Sequence, residues 1–194
     1  MSLTDPFTTR LTRDLEPVLS LADPRTKISS YHDMPYAIFR YEPEEEFDLR
    51  KQVTLLETRL AQKGKRIKRI SLAECMSAAM QSRRPIDEWF SAERDHGVDT
   101  MIDTVHAALS EEAQLLQIVE AQFSQDSDPL RDIVFFVRAG ALFPVYRCHT
   151  LLEQLHGKLR VPAVLFYPGT LDGAVALKFM GVFDADPNYR PKIF

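Results

Sequence analysis

Cys148 and His149 are the neighbouring side chains that come closest to a catalytic pair in this sequence. A thiol nucleophile needs a base within hydrogen-bond reach and a third group that orients this base. Neighbours on a helix point about 100° apart, so we do not expect a dyad here. His156 lies seven residues after His149, a spacing that can place both on one helix face, but two histidines at this spacing define no metal site. With no GxSxG motif either, the sequence predicts neither a catalytic nor a metal-binding residue.

Phosphate binding is the second function to consider, since strands followed by helices build many nucleotide-binding folds. A phosphate loop needs glycines, whose backbone N–H groups approach the ligand, and a lysine. The loop after a predicted strand at Tyr36–Tyr41 instead reads YEPEEEFDLR, with no glycine and several carboxylates. Gly140 follows another strand, but a single glycine indicates a tight turn. We therefore predict no cofactor, and a degenerate nucleotide-binding enzyme stays the third alternative.

The densest positive run of the chain spans a predicted helix end and the start of a strand. Its charges can contact nucleic-acid phosphates, and they are equally typical of a solvated helix end, where positive charge is favoured. No aromatic residues are interleaved for base stacking. The run makes a nucleic-acid-binding regulatory module the second candidate function. Besides Lys63, its candidate contacts are Lys65, Arg66, Lys68 and Arg69.

Two apolar strands and the helix between them are the clearest structural signal. The strands are predicted at Ile133–Val137 and Ala163–Tyr167, and the helix at about 146–155. This pattern is typical of a βαβ unit in a parallel sheet. A further βαβ unit is predicted from the strand at Tyr36–Tyr41, an amphipathic helix before Gly64 and a strand at Arg66–Leu72.

Helices are predicted for most of the remaining chain. One covers residues 3–20 and is ended or kinked by Pro17, and the ADPRTK stretch after it is expected to be a loop. A long helix is expected from about Asp99 to Phe123, and Trp89 before it suits either a core or an interface. A last strand at Val175–Phe183 precedes a polar tail.

The order of these elements predicts the fold class. It is α/β, with a mostly parallel sheet flanked by helices and a P-loop-NTPase-like topology without a phosphate loop. We expect a single domain over residues 1–194, with a helical insertion at about 73–123. The pattern of elements does not determine the strand order.

Composition narrows the class of protein. The chain has 194 residues, 45% of them hydrophobic, and a net charge of −4, which does not by itself demand nucleic acid. Two isolated cysteines, Cys75 and Cys148, fit reduced thiols in a cytosolic protein. The first residues are too polar for a signal peptide, and no apolar run reaches the ~18 residues of a membrane span. We therefore expect a cytoplasmic protein with no membrane partner.

The segment that follows the predicted strand Ile133–Val137 resembles the BrxB family of BREX (bacteriophage exclusion) systems. The resemblance is carried by RAGALFP at 138–144, Tyr146-Arg147, Leu151-Leu152-Glu153 and VPAVLFYPG at 161–169. It implies a non-enzymatic scaffold or adaptor subunit that supports phage restriction and host DNA methylation. It also implies PglZ, the phosphatase-like BREX component, as the direct partner, with other BREX subunits as further candidates.

Partner-binding residues are sought in the loops after the parallel strands, because ligands of open α/β sheets gather at the carboxyl ends of strands. Several of these residues can be purely structural, and Phe143 and Tyr167 are expected in the core rather than on the surface. The candidates are Arg138, Phe143, Tyr146, Arg147, Tyr167 and Asp172.

Overall fold

A computed structural model of the protein describes residues 5–28, 35–124, 126–173, 176–183 and 191–194. A mostly parallel β-sheet lies between two layers of helices, which confirms the α/β class predicted from the sequence. The P-loop-NTPase-like topology and the single domain with an insertion stay predictions.

The described residues form nine α-helices and five β-strands. The helices are α1 (Phe7–Arg10), α2 (Glu16–Leu19), α3 (Arg25–Ile28), α4 (Glu46–Gln62), α5 (Leu72–Arg83), α6 (Ile86–His96), α7 (Val98–Ser110), α8 (Gln114–Glu120) and α9 (Cys148–Gln154). The strands are β1 (Tyr36–Tyr41), β2 (Arg66–Ser71), β3 (Asp132–Val137), β4 (Ala163–Asp172) and β5 (Ala176–Phe179).

The four parallel strands lie in the order β1-β4-β3-β2, and β5 pairs antiparallel with residues 169–172 of β4. All residues from Ala163 to Tyr167 are buried, as expected of an inner strand that is covered on both faces. Strand β2 instead exposes Arg66, Lys68 and Arg69. It fits the edge of the sheet, where charged residues discourage unwanted pairing.

One predicted βαβ unit is confirmed and the other is wider than expected. Strands β3 and β4 are parallel neighbours, with Val134 opposite Ala163 and Phe136 opposite Leu165. Strands β1 and β2 are parallel but lie at opposite ends of the four-strand order, so they are not the neighbours of a simple unit. Strands β3 and β4 occupy the positions between them, and the end strand β1 is buried along its whole length as well.

Successive residues of each strand face opposite helix layers. On one face, Phe136 and Leu165 pack into a core formed with α5 to α9. On the other face, Phe135 and Phe166 pack into a core with α1 to α4, and their rings meet edge to face with centroids 5.2 Å apart. Aromatic pairs in this geometry add about 1 kcal/mol beyond the area that they bury.

The outer edge of β1 is covered by residues 191–194, which were expected to belong to a polar tail. The backbone N–H of Ile38 donates to the Lys192 carbonyl at 2.9 Å, and the N–H of Phe194 donates to the Ile38 carbonyl at 2.8 Å. The buried Arg10 guanidinium donates to the Phe194 carbonyl at 2.8 Å. Burial and the nearby Arg40 charge lower the pKa of Arg10 to about 10. This contact joins the first helix to the edge of the sheet.

The N-terminal helix continues past Pro17, although the sequence predicts that this proline ends or kinks it. A π-helical turn at Leu11–Leu15 precedes α2 and shifts the hydrogen-bond register. Pro17 thereby falls in the first turn of α2, where a missing backbone N–H costs little. The second half of the ADPRTK stretch, which is predicted to be a loop, lies in the short helix α3.

The long helix predicted from Asp99 to Phe123 is two helices. Glu112 and Ala113 both have a φ of 53°, so the backbone turns between α7 and α8. The break lets the apolar faces of both helices reach the same core, where the indole of Trp89 is also buried. No helix in the described ranges has both the length and the apolar character that a bilayer span requires.

Glu16 joins two helices through a half-buried ion-pair network. Its carboxylate accepts hydrogen bonds from Arg59 Nε at 2.8 Å and from Lys63 Nζ at 2.9 Å. Burial acts to raise the pKa of the Glu16 carboxyl, but the hydrogen bonds from Lys63 and Arg59 prevail and hold it below its ordinary value. A carboxyl with a lowered pKa in the folded state stabilises the protein above its unfolded pKa, and this stabilisation is lost as the pH falls through the folded pKa.

We therefore expect Glu16→Gln to lower the free energy of unfolding at pH 7 by about 1 kcal/mol, a value reduced for solvent screening. The difference from the unchanged protein should shrink below about pH 4.5, where the unfolded carboxyl becomes protonated. Urea unfolding at a series of pH values measures both effects. Asp48→Asn is the control, since the Asp48–Lys51 pair is exposed on both sides. An equal loss at pH 3 and pH 7 would contradict the assignment to the Glu16 charge.

Candidate functional site

The carboxyl ends of β1, β2 and β3 lie at one edge of the sheet because these strands are parallel. The chain turns there through a 3-10 helix at Pro43–Glu45 after β1 and through another at Ala139–Leu142 after β3. Arg138 begins the second turn with a φ of 58°, a left-handed conformation that is uncommon for a residue with a Cβ. Strand β4 continues past this edge and forms a hairpin with β5.

The acidic loop after β1 is held by its own carboxylates. The Glu42 and Glu45 side chains each accept a hydrogen bond from the other's backbone N–H, which caps the 3-10 helix. Arg40 pairs with Glu42, and the Tyr41 hydroxyl donates to the Glu46 carboxylate. Burial and the Glu46 carboxylate raise the pKa of the Tyr41 hydroxyl. These contacts order the loop.

A cleft opens beside this loop. It consists of two cavities, with volumes of about 170 Å³ and 280 Å³, which are both lined by Glu46, Arg50 and Arg138. Arg50 donates to Glu46 at 2.7 Å, so this arginine is paired within α4. Arg138 lies 3.8 Å from Glu74, and its side chain is 42% exposed. Arg138 is thus the cation of this cleft that is best placed to meet an acidic partner.

A cluster of aromatic rings lies beside the cleft, under the turn that follows β5. Phe143 packs against Phe179 and Phe183, with ring centroids 6.1 Å and 5.0 Å apart. Tyr167 packs against Phe179 from the sheet side, with centroids 5.3 Å apart. The Arg147 guanidinium lies over the Phe183 ring, 4.8 Å from its centroid. The turn after β5 is therefore fixed between the aromatic cluster and an exposed arginine.

The six candidate partner-binding residues differ in how far their side chains are exposed. Tyr146 and Tyr167 are buried, and the Tyr146 hydroxyl donates to Gln154 at 3.1 Å, so both serve the core. Phe143 is half-buried in the aromatic cluster. Arg138, Arg147 and Asp172 are exposed, and Asp172 pairs with Lys178 across the β4–β5 hairpin at 3.2 Å. Of the two aromatic candidates expected in the core, Tyr167 is buried and Phe143 is half-buried.

We define the carboxyl-edge surface as Arg138, Arg147, Met180, Val182 and Phe183. The turn from Met180 to Phe183 connects the two arginines, since Met180 shares a cavity with Arg138 and Phe183 lies under Arg147. Val182 is 70% exposed. Arginine, methionine and aromatic side chains are enriched in protein interfaces. The arrangement suits the docking of a protein segment with apolar and acidic side chains.

The four basic residues predicted to contact nucleic acid lie in different environments. Lys65 is buried, and its ammonium donates to the backbone carbonyls of Leu21 at 2.5 Å and Leu130 at 2.7 Å, with a longer bond to Ala22. Arg69 faces α4 and forms two hydrogen bonds to Glu57. Arg66 and Lys68 lie on the opposite face of β2 from Arg69. The four predicted nucleic-acid contacts therefore form no continuous phosphate-binding surface.

The two thiols are structural. Cys75 and Cys148 are buried, and burial raises the pKa of both thiols, although a hydrogen bond from Gln122 opposes the rise at Cys75. His149 is paired with Glu153, and its Nε2 lies 2.9 Å from the Glu153 carboxylate. In the described segments, no three His, Cys, Asp or Glu side chains lie close enough together to hold a metal ion.

We expect Cys75 and Cys148 to resist thiol reagents in the folded protein, because thiolates are the reactive form and burial disfavours them. With Ellman's reagent at pH 7.5, the native protein should release less than about a tenth of the colour of the same sample in guanidinium, where both thiols react. Rapid reaction of one thiol in the native protein would contradict the burial of that cysteine. Cys75→Ala and Cys148→Ala variants identify which thiol is responsible.

Sequence reasoning missed the contribution of the β4–β5 hairpin. Strand β4 was expected to end at Tyr167, before Pro168 and Gly169, which are residues typical of turns. It continues because Gly169 lets the two strands approach closely, and a Cβ at this position would lie 2.3 Å from the Lys178 carbonyl oxygen. The last strand, expected at Val175–Phe183, is β5 and ends four residues earlier, at Phe179. A glycine within an apolar strand run was the available signal.

Two comparisons with known proteins identify the same family. The sequence profile of the family described as "BREX protein BrxB" matches residues 68–193, which is more than half of the chain. A protein named "BREX protein BrxB" from Bacillus cereus (strain H3081.97) is 29% identical over 161 residues, which cover 82% of each chain. No solved structure gives a significant match.

Proposed function

The chain belongs to the BrxB family of BREX proteins, and on that premise we propose that it is a non-enzymatic scaffold that binds PglZ. In this role it supports phage restriction and host DNA methylation, while other subunits carry the chemistry. The observation that carries the proposal is the carboxyl-edge surface, where two exposed arginines flank a half-buried apolar turn with Val182 exposed at its tip.

The electrostatics of this edge support a protein partner. Glu42, Glu45 and Glu46 of the loop after β1 are used in internal contacts, and the carboxylate paired with Arg138 is that of Glu74, which is 77% exposed and 3.8 Å away. Arg147 is oriented by its stacking on Phe183, which reduces the side-chain entropy that binding would otherwise cost. An ordered arginine beside apolar side chains is typical of the residues that dominate binding energy.

The surface is built on strand ends and not on a long loop. Arg138 follows β3 directly, and the turn from Met180 to Phe183 is bonded to β4 through the Met180 N–H, which donates to the Pro168 carbonyl at 2.9 Å. A rigid surface favours docking with little rearrangement of the backbone. A scaffold that positions larger subunits needs such a surface.

The proposal is tested by complementation in a strain with an active BREX system and a deletion of the gene for this protein. The unchanged protein should restore both phage restriction and methylation of host DNA. An Arg138→Glu/Arg147→Glu double variant should restore neither, although it accumulates to the same level. Full restoration by the double variant would contradict a docking role for the carboxyl-edge surface. Restriction restored without methylation would limit the role to defence.

A further inference from the structure

The helix layer on one face of the sheet leaves a gap over the amino ends of β2 and β3. Alternation along β2 places Lys68 on the same face as the buried Ile70, which belongs to the core with α5 to α9. Val134 of the neighbouring strand β3 faces the same core. A groove of about 470 Å³ opens in this gap. We call it the amino-edge groove, because it lies at the opposite edge of the sheet from the carboxyl-edge surface.

Much of the lining of the amino-edge groove is apolar. The apolar lining residues come from the segment after α8, from β3 and from the segment that leads into β4, and they are Phe123, Val134, Leu159 and Val161. All of them except the half-buried Phe123 are buried. The Phe123 ring packs edge to face against Phe136, with ring centroids 6.4 Å apart. The groove therefore presents an apolar surface that is fixed by the core beneath it.

Two ion pairs join the segments that surround the groove. Arg66 forms two hydrogen bonds to the Asp132 carboxylate, at 2.6 Å and 2.8 Å, which link β2 to β3. Lys158 Nζ lies 2.6 Å from the Glu120 carboxylate, which links the segment before β4 to the end of α8. Because these contacts form the groove before any ligand binds, little ordering has to accompany binding.

Two further cations line the groove without such a structural role. Lys68 and Arg160 are exposed, and neither has an ion-pair partner among the residues that the structure describes. Lys68 belongs to β2 and Arg160 precedes β4, and these two strands pair with β3 from its two sides. Strands two positions apart in a sheet lie about 10 Å apart. The long side chains of Lys68 and Arg160 can therefore approach one anionic group from opposite sides.

We propose that the amino-edge groove binds a small organic anion with an apolar body, such as an alkyl or aryl carboxylate, sulfonate or phosphate. The anionic group lies between Lys68 and Arg160, and the apolar body lies against Phe123, Leu159 and Val161. The site is at the other edge of the sheet from the carboxyl-edge surface, and it does not rest on the proposed binding of PglZ.

The size and lining of the groove favour a small molecule over nucleic acid or a protein surface. Affinity for nucleic acid grows with the number of phosphates that a protein neutralises, and two of the four lining cations already pair with carboxylates. A phosphate backbone also makes no use of the apolar lining. The volume of the groove falls within the range of about 300–1,000 Å³ that is typical of small-molecule sites. A neutral or cationic ligand would leave Lys68 and Arg160 unpaired, so the same charges select for an anion.

Fluorescence titration of the full chain with anilinonaphthalene sulfonate, a dye that joins an apolar ring system to an anion, tests the proposal. We expect saturable binding with a Kd below about 100 µM, and binding at least about tenfold weaker for the Lys68→Glu/Arg160→Glu variant. Lys27 and Lys51 are exposed and lie outside the groove, so the Lys27→Glu/Lys51→Glu variant, which has the same net charge, should bind the dye as the unchanged protein does. Partial unfolding would increase the dye fluorescence and so cannot mimic the expected loss.

Two further measurements test the apolar part of the site and the sign of the charge. Ser124 is exposed and lines the groove, so Ser124→Trp should fill part of it without changing the charge and weaken dye binding at least about tenfold. Ser91→Trp, at an exposed position of α6, is the matched control and should have no effect. Decanoate should displace the dye, whereas decyltrimethylammonium, with the same chain and a positive head group, should not.

Four results would overturn the proposal. One is no saturable binding of the dye up to about 1 mM, which corresponds to a negligible affinity. Another is unchanged binding by either the Lys68→Glu/Arg160→Glu or the Ser124→Trp variant, which would place the dye elsewhere on the protein. A third is displacement of the dye by an acidic peptide at concentrations at which decanoate has no effect, which would assign the groove to a protein segment. The last is co-sedimentation with phosphatidylglycerol vesicles that the Lys68→Glu/Arg160→Glu variant loses, which would assign the groove to a membrane lipid.

Discussion

Replacing Lys65 with methionine is expected to lower the free energy of unfolding by about 2–3 kcal/mol. The methionine retains an apolar stem of similar length, but it removes the buried ammonium that donates to the carbonyls of Leu21 and Leu130. These carbonyls belong to segments that precede α3 and β3, so the lysine joins two loops at the start of β2. Their lost hydrogen bonds, and not a lost surface charge, cause the effect. Urea unfolding followed by circular dichroism measures it.

Lys68→Met is the matched control for Lys65→Met. Lys68 lies three positions further along, within β2, is exposed and has no ion pair within the described part of the chain. Its replacement should change the free energy of unfolding by no more than about 0.5 kcal/mol. Equal destabilisation by the two variants would show that Lys65 does not have the buried, hydrogen-bonded position described above.

The Arg138→Glu/Arg147→Glu variant is expected to bind PglZ at least about 100-fold more weakly than the unchanged protein. Each reversal removes a cation from the carboxyl-edge surface and introduces repulsion against acidic groups of the partner. Both arginines are exposed, so the free energy of unfolding should change by less than about 1 kcal/mol. Isothermal titration calorimetry of the purified proteins measures the affinity, and thermal unfolding verifies the fold.

A control with the same change in net charge separates local contacts from long-range electrostatics. Lys27 and Arg131 are exposed and do not line the cleft at the carboxyl edge. The Lys27→Glu/Arg131→Glu variant should therefore retain an affinity within about threefold of the unchanged protein. A similar loss of affinity in both double variants would mean that overall charge, and not the carboxyl-edge surface, determines binding.

The strands and most helices could be predicted from the sequence because their side-chain periodicity is local. The runs at Tyr36–Tyr41 and Ile133–Val137 are apolar enough to indicate inner or covered strands on their own. The break between α7 and α8 could not be predicted, because Glu112 and Ala113 adopt left-handed conformations that only the packing of both helices explains. The wide separation of β1 and β2 also depends on contacts between distant segments.

The candidate site could be predicted only in part, since a sequence alone does not show which side chains are exposed. Placing Arg138 and Arg147 at the carboxyl edge follows from the strand ends, and the structure shows both exposed. Lys65 looked like a surface cation within a basic run, but the fold directs it into the interior. The sequence predicts Phe183 only as the end of the last strand, because its contact with Arg147 depends on the β4–β5 hairpin.

The affinity of the unchanged protein for purified PglZ tests the central claim most directly. Calorimetric titration near physiological salt should show binding of equal numbers of the two proteins, either as a 1:1 complex or as a symmetric assembly. The Kd should lie below about 1 µM, the strength expected of a stable scaffold contact. The absence of binding at about 100 µM, with both proteins shown to be folded, would contradict the scaffold account.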